Sequence, residues 1–367
     1  MKNAFFLLPL LLVSQVGWAQ EPQPTQEDSL RFTSKFVLPI TFYTPETRWG
    51  FGGAGLLAFR LPGEPDSSRS SQLQGGGVYT LENQLLTYLS YILFRENEDY
   101  WLYGEVGYYR YTFFFYGIGN EDQDSEGELF SVNFPRFRIH ALKQVVPNGY
   151  LGLHYWLDVF DIQDVAPQGR LADDQRDIAG RNGGIISGPG LIGIYDRRND
   201  LNFPTKGVYA EALFQVNAPW TGSSFNYTRT SMDLRGFWSP FKQVNHVLAG
   251  QVYADLTTGE PPFNALALLG GTRRLRGFYE GRYRDNRLIG GQIEYRAPLF
   301  WRIGVNAFVG TAAVFDEFSE INPNIFRLGY GAGLRARISN EDYINLRFDV
   351  GVAEGQVNYY LTVGEAF

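Results

Sequence analysis

The sequence predicts an all-β protein, a transmembrane antiparallel β-barrel of about sixteen strands with a loop in its lumen. From about residue 35 to Phe367, runs of alternating apolar and polar residues are separated by Gly, Asn, Asp and Pro turns, the pattern of strands joined by hairpins. Aromatic residues make up 16% of the 367 residues, which suits girdles at two membrane interfaces. The mean hydropathy of -0.22 also fits, because lipid-facing and lumen-facing residues cancel in the average.

The clearest alternation lies near the C-terminus. Between residues 327 and 338 one face of the predicted strand is apolar, and the other carries only arginine and glycine: Arg327, Gly329, Gly331, Gly333, Arg335 and Arg337. Between residues 343 and 352 an apolar face again opposes a polar one. Such contrast favours a barrel with lipid outside and water inside over a soluble sandwich.

Counting these runs gives sixteen strands, an even number that places both chain ends on one side of the membrane. The long polar connections 162–184 and 258–286 then share the extracellular side, and 61–71 falls on the periplasmic side. The predicted strands are 35–44, 48–60, 71–82, 84–95, 99–113, 128–143, 149–161, 185–197, 206–217, 225–239, 244–257, 287–298, 301–315, 326–338, 342–352 and 356–367.

Three regions are predicted along the chain. Residues 1–19 combine Lys2, a short apolar run and a small-residue cleavage site, as in a secretory signal peptide. Residues 20–34 are polar and contain proline, which predicts a flexible periplasmic tail. Residues 35–367 form the barrel domain. No apolar stretch after residue 19 is long enough for a transmembrane helix.

Composition disfavours several function classes. The chain has no cysteine, and its three histidines lack metal-ligand spacing. A net charge of -7 without a basic patch argues against nucleic acid. The GxGxxG match at 188–193 lies in a strand pattern with no helix after it, so a dinucleotide site is not expected. We therefore expect no enzymatic activity, cofactor or metal.

The candidate functional site is the segment 270–281, GGTRRLRGFYEG, which combines flanking glycines with three arginines. Its residues Leu275, Arg276, Gly277 and Phe278 resemble the Val/Leu-Arg-Gly-Phe/Tyr loop signature of the BamA/TamA superfamily of outer-membrane barrels (bacterial surface antigen family). In that family the loop folds back into the lumen. The resemblance therefore implies a lumenal loop here.

Three further segments carry the same resemblance. Residues 195–207 resemble the family's YDxRDN...PTxG strand-turn-strand signature, and 287–315 resemble the two strands that follow the lumenal loop. The chain closes on QVNYYLTVGEAF, and Phe367, on the same alternation face as Tyr359 and Leu361, resembles the C-terminal signal that assembly machinery recognises.

Strand alternation also indicates partners for the loop arginine. In the family a glutamate and an aspartate on the two following strands hold it; Glu294 matches the glutamate, but Gly310 stands where the aspartate usually lies. We hypothesise that Arg276 pairs mainly with Glu294, assisted by Asp349, because arginine favours bidentate carboxylate contacts. The alternative is that these are ordinary solvated charges of the lumen.

A weak seam is predicted where the first and last strands meet. Pro39 removes one ladder donor from the first strand, and the seam residues are Pro39, Phe42, Tyr359 and Leu361. In relatives such a seam is proposed to open sideways and template client strands. The alternative is local fraying at one proline.

The resemblance implies an integral barrel of the outer membrane of a Gram-negative-type bacterium. Relatives carry periplasmic POTRA modules before the barrel, whereas the short tail here predicts a barrel-only member. The implied function is assembly or translocation, assisting insertion or export of polypeptide or lipid through the seam. The alternative is a passive channel or structural barrel. Implied partners are outer-membrane lipids, the machinery that inserts the barrel itself, and an unfolded client or separate periplasmic protein.

Overall fold

The computed structural model describes residues 29–44, 48–120, 126–173, 175–241 and 246–367. The predicted signal peptide, residues 1–19, and residues 20–28 of the predicted tail lie outside these ranges. Within them no helix is long and apolar enough to cross a membrane.

Sixteen antiparallel strands form one sheet in which each strand pairs with its neighbours in chain order. Two further three-residue strands pair with each other outside this sheet. The strands are β1 Arg31–Thr44, β2 Arg48–Arg60, β3 Ser71–Thr80, β4 Leu85–Arg95, β5 Tyr100–Phe115, β6 Glu128–Val146, β7 Gly149–Val165, β8 Gly184–Asp196, β9 Gly207–Asn217, β10 Tyr227–Trp238, β11 Val247–Gly259, β12 Ala267–Leu269, β13 Tyr283–Asp285, β14 Arg287–Phe300, β15 Ile303–Phe315, β16 Arg327–Arg337, β17 Asn345–Ala353 and β18 Gln356–Val363. Short 3₁₀ turns occur at Pro219–Thr221, Phe318–Glu320 and Pro323–Ile325.

The predicted fold class and the sixteen spanning strands are confirmed, with differences at the ends. β1 begins at Arg31, so Arg31 to Ser34, which the sequence assigned to the tail, belong to the sheet. β18 ends at Val363 rather than at Phe367. The short strands β12 and β13 were not predicted.

The two faces of the sheet differ in chemistry, as the alternation predicted. In β10, Asp233 and Arg235 point to the buried inner side, whereas Met232 and Leu234 are exposed on the outside. The longest connections, 166–183 and 260–286, leave the same rim, which is the rim predicted to be extracellular. The start of β1 and the end of β18 lie on the opposite rim, which is predicted to be periplasmic.

Side-chain contacts bring the two ends of the sheet together. Ser34 of β1 lies 2.6 Å from Ser339, oxygen to oxygen, and the Thr33 hydroxyl donates to Asp342 at 3.1 Å; both partners are in the turn between β16 and β17. Phe36 of β1 and Val363 of β18 pack against one buried cluster. These contacts curl the sheet into a barrel.

The lipid-facing surface allows a test of the membrane assignment. Leu191 lies at the middle of β8 and is 62% exposed on the outer face. Leu191→Arg is expected to lower the free energy of unfolding by about 2–4 kcal/mol, because arginine at the bilayer midplane of a barrel costs that much. Denaturant titration in lipid vesicles, followed by tryptophan fluorescence, measures the change.

The matched control is Leu81→Arg. Leu81 is 61% exposed but lies in the turn between β3 and β4 at the rim. There an arginine is expected to cost only about 0–1 kcal/mol. Equal costs at the two positions would contradict a lipid-facing β8.

Candidate functional site

The connection 260–286, which contains β12 and β13 and which we call the lumenal loop, lies inside the barrel. A buried apolar cluster holds it there: Leu275, Phe278 and Tyr283 of the loop pack with inward side chains of β11, β14 and β15. Its short hairpin, β12 with β13, contacts β11, β14 and β15. Burial of these apolar side chains supplies the non-directional part of the loop's attachment.

Arg276 supplies the directional part. Its side chain is 1% exposed, and its guanidinium donates through Nη1 to Asp349 Oδ2 at 2.5 Å and through Nη2 to Glu294 Oε2. The ring of Phe308 lies 3.6 Å from Arg276 Cζ, which adds a cation-π contact. A buried guanidinium is tolerated only when it is paired in this way.

Three further arginines surround the same carboxylates. Glu294 accepts from Arg296 Nε at 2.7 Å and from Arg335 Nη2 at 2.8 Å, and Asp349 lies 3.3 Å from Arg347 Nε. A third carboxylate, Glu365, accepts from Arg335 Nε at 2.8 Å. The anchor is therefore a buried network of four arginines and three carboxylates, which we call the anchor network.

Glycines let the loop backbone approach the barrel wall. Gly277 has φ +117°, a conformation that side chains disfavour. A Cβ added to Gly329 would lie 2.7 Å from the carbonyl oxygen of Arg276, and one added to Gly351 would lie 2.6 Å from the amide nitrogen of Gly277. These wall positions therefore require glycine for the loop to sit as it does.

The last strand also contacts the signature. The Gly277 amide donates to the Tyr360 hydroxyl at 2.9 Å, and that hydroxyl donates to the Phe278 carbonyl at 3.2 Å. Asn358 Nδ2 donates to the Gly277 carbonyl at 2.6 Å. Strand β18 therefore forms hydrogen bonds both with the loop backbone and with its neighbouring strand β17.

The loop also reaches the opposite wall of the lumen. The Phe114 amide of β5 donates to the Tyr279 hydroxyl at 3.3 Å, and the two rings meet edge to face. Arg284 Nη2 donates to the Phe114 carbonyl at 3.4 Å. Because β5 is far from β17 and β18 in the sheet order, the lumenal loop crosses the lumen.

The structure brings the predicted loop residues and partners together, and it differs in detail from the hypothesis. Arg276 contacts Glu294 and Asp349 equally, one through each terminal nitrogen, rather than mainly Glu294. Gly310, at the family's aspartate position, leaves room for Leu275: an added Cβ would lie 3.2 Å from Leu275 Cδ1. Asp349 on β17 thus supplies the second carboxylate.

Sequence reasoning missed several contacts. Tyr360 and Asn358 could have been found from the alternation of side chains along β18. They lie on the opposite face of this strand from Tyr359 and Leu361, and therefore point into the lumen. Alternation places Arg296 and Arg335 on the inward faces of their strands, but no sequence signal pairs them with Glu365.

The predicted seam residues lie on the two end strands of the sheet. Pro39 pairs with Gly53 across β1 and β2 and is exposed, and Phe42 pairs through its backbone with Gly50, although its side chain lies outside the described part. Tyr359 and Leu361 are exposed on the outer face of β18. In the described ranges no ladder pairing joins β1 to β18.

The position of Phe367 is a correction. Alternation placed it on the lipid face with Tyr359 and Leu361, but the strand ends at Val363 and Gly364 has φ +86°. This turn sends the last residues inward, and Phe367 is buried in the lumen. Its role as an assembly signal stays a prediction.

In the part of the chain that the structure describes, no group of three or more His, Cys, Asp or Glu residues is placed to hold a metal ion. The expectations of no metal, no cofactor and no catalysis stay predictions.

The anchor network predicts the effect of removing one charge. Glu294→Gln is expected to destabilise the loop anchor by about 3–5 kcal/mol, because it leaves buried guanidinium groups without their carboxylate. Hydrogen exchange followed by mass spectrometry is expected to show faster exchange in residues 270–281.

The control is Asp316→Asn at the extracellular rim. Asp316 lies 3.6 Å from Arg287 and its side chain is 57% exposed, so its loss is expected to cost about 0–1 kcal/mol. Unchanged protection of residues 270–281 in Glu294→Gln would contradict the anchoring.

The chain is similar to known proteins in part of its sequence and in its fold. Residues 192–367 match the model of the Omp85 superfamily domain. BamA from Haemophilus ducreyi lacking POTRA domains 1–3 is similar in structure, with a TM-score of 0.56 and 17% identity over 91% of this chain and 70% of that chain. CdiB from Acinetobacter baumannii is similar with a TM-score of 0.57 and 13% identity over 93% of this chain and 60% of that chain.

No curated protein sequence matches the chain. The two structural likenesses concern the fold, and the family match covers residues 192–367, the part of the chain that holds the signature loop and its partners. Residues 192–367 therefore match the Omp85 superfamily domain, and the chain shares the barrel fold of BamA and CdiB.

Proposed function

We propose that this barrel assists the insertion or export of polypeptide at the seam between β1 and β18 and is not a passive channel. The observation that carries the proposal is the lumenal loop, which crosses the lumen from the β17–β18 wall to Phe114 on β5. A pore for free diffusion needs an open lumen, and this one is occupied by a loop held through buried charges.

The periplasmic rim is occupied as well. The connection 61–70 between β2 and β3, which we call the floor loop, is held by Arg69. That guanidinium donates to Glu98 Oε2 and to Asp196 Oδ2, both at 2.7 Å, and lies 4.5 Å from the centre of the Phe94 ring. Burial lowers the pKa of Arg69, but the charges of Glu98 and Asp196 outweigh it and the pKa lies above its ordinary value.

Other connections at this rim are tied to one another. Gln72 donates to Asn202 Oδ1 at 3.2 Å, and Asn202 donates to the carbonyl of Asp342 at 2.8 Å. Asp342 in turn accepts from Thr33 of β1. These bonds link β3, the connection between β8 and β9, and the turn between β16 and β17, so the mouth of the barrel on this side is crossed by hydrogen bonds.

The seam contrasts with the filled lumen. Val37 on β1 is 79% exposed, and Leu361 on β18 is also exposed to the outside. The contacts that join this end of the sheet to the other are side-chain contacts near the periplasmic rim. An unpaired strand edge can accept an incoming strand by β-augmentation, which would let a client polypeptide pair with the barrel.

Conductance separates the proposal from the channel alternative. In planar bilayers the unchanged protein is expected to show little steady conductance, because the lumenal loop fills the lumen. Asp349→Asn is expected to raise the open probability by releasing Arg276, and Asp316→Asn at the rim is not. A large, steady conductance of the unchanged protein would support the channel instead.

Crosslinking in cells tests the seam directly. A photoreactive residue at Val37 or Leu361 is expected to trap newly exported outer-membrane polypeptides, since both positions face outward beside the seam. The control is Leu191 on β8, which has similar exposure and lies far from the seam in the sheet. Adducts with lipid alone at all three positions would overturn the proposal.

A further inference from the structure

The residues after β18 form a short strap across the periplasmic side of the lumen. The Gly364 amide donates to the Asn345 carbonyl at 2.8 Å, and its φ of +86° turns the chain away from the sheet. The following residues are Glu365, whose side chain is 3% exposed, and Ala366 and Phe367, which are buried. We call these three residues the strap.

The strap ends in a seat on the opposite wall. The Phe367 ring packs with four side chains from the connection between β8 and β9 and from β10 and β11, namely Phe203, Phe237, Val247 and Ala249. In the sheet, β14 to β17 lie between β11 and β18. The strap therefore spans the lumen instead of following its own strand.

Polar contacts of the seat suit the residue types of the strap. Arg296 Nη2 donates to the main-chain oxygen of Phe367 at 3.0 Å, and its guanidinium lies 5.5 Å from the centre of the Phe367 ring. Two residues earlier, Glu365 accepts from Arg335 Nε at 2.8 Å and from Asn345 Nδ2 at 2.7 Å. The seat thus recognises a carboxylate and, two residues later, an aromatic ring.

The seat and the loop anchor share two guanidinium groups. Arg296 and Arg335 both contact Glu294, which holds Arg276, and both also contact Glu365. Glu365 is one of the three carboxylates that balance four arginines in the anchor network. Its departure would leave Arg296 and Arg335 with Glu294 and Asp349 alone, and so would redistribute the contacts that hold the loop.

We propose that this seat is a binding site for a peptide segment of the type Glu-x-aromatic, which the protein's own strap occupies reversibly. We further infer that strap occupancy and loop anchoring stabilise each other. The strap is suited to release because it is held by contacts with side chains and is not paired as a strand in the sheet. Local segments of this kind open at a low free-energy cost. Coupling through shared arginines is reciprocal by thermodynamic necessity.

Thiol labelling measures release of the strap in the purified, full-length protein. The chain has no cysteine, so Ala366→Cys introduces the sole thiol at a buried position. Labelling is expected to be slow in this variant. Adding Gly364→Ala is expected to raise the rate roughly tenfold, because a left-handed backbone is strained in any residue with a Cβ.

Gly355→Ala is the matched control for the hinge. Gly355 also has a positive φ, +76°, and a Cβ added there or at Gly364 meets nothing within 4 Å. The two substitutions therefore add similar backbone strain at opposite ends of β18, and only the one at Gly364 is expected to speed labelling. Equal labelling rates in the two variants would overturn the releasable strap.

A synthetic peptide tests the seat as a binding site. Val-Gly-Glu-Ala-Phe is expected to accelerate labelling of Ala366→Cys in a saturable way by displacing the strap, and Val-Gly-Gln-Ala-Ala is not. Phe203→Ala, which removes one wall of the seat and leaves the strap unchanged, is expected to speed labelling without peptide. Absence of any effect of the first peptide would overturn the binding site.

Hydrogen exchange tests the coupling. Glu365→Gln is expected to speed exchange in residues 270–281, whereas Glu341→Gln, at an exposed position in the neighbouring turn, leaves it unchanged. Unaltered exchange in Glu365→Gln would overturn the coupling. These measurements use isolated protein, so their failure would leave the crosslinking test of the proposed function unaffected.

Discussion

The structure of the lumen depends on the burial of one guanidinium. Arg276 lies out of contact with water between Glu294 on β14 and Asp349 on β17. An uncompensated charge at that position would cost several kcal/mol, so both carboxylates must point inward at the same height of the barrel. That requirement ties together the register of strands that do not pair with each other.

Other features follow from placing Arg276 there. The loop backbone on either side must lie against the wall, and glycines at Gly329 and Gly351 make the space. The two carboxylates attract further arginines, since a single guanidinium does not satisfy all their oxygen lone pairs. The network then extends to Glu365, so the loop and the strap are parts of one electrostatic unit.

Much of the fold could be predicted because the alternation of apolar and polar side chains along a strand is a local property. Each spanning strand needs only its own alternation to be recognised, and all sixteen were located within a few residues. The strands β12 and β13 are too short to show a period. The same alternation explains why Phe367 was wrongly placed on the outer face. The pattern was continued past Gly364, where a positive φ ends the strand.

The site was less predictable for a physical reason. The inward position of Glu294 followed from the alternation along β14. That Asp349 contacts Arg276 as closely as Glu294 does depends on the relative heights of β14 and β17, which are set through β15 and β16. The same holds for Arg335 and Glu365, whose contact arises only because the chain turns inward after β18. Which side chains meet across a lumen depends on the register of every strand pair that lies between their two strands. A single sequence contains no direct signal for these registers.

The energetics of the two routes through this barrel differ. Passage through the lumen must displace the lumenal loop from a buried network in which losing one partner of a single pair costs about 3–5 kcal/mol. It must also release Arg69 from Glu98 and Asp196 at the floor. Separation of β1 from the opposite end of the sheet breaks side-chain hydrogen bonds such as Thr33 to Asp342, each worth about 0.5–1.5 kcal/mol, and some apolar packing. The lateral route is therefore the less costly one, as the proposed role of the seam requires.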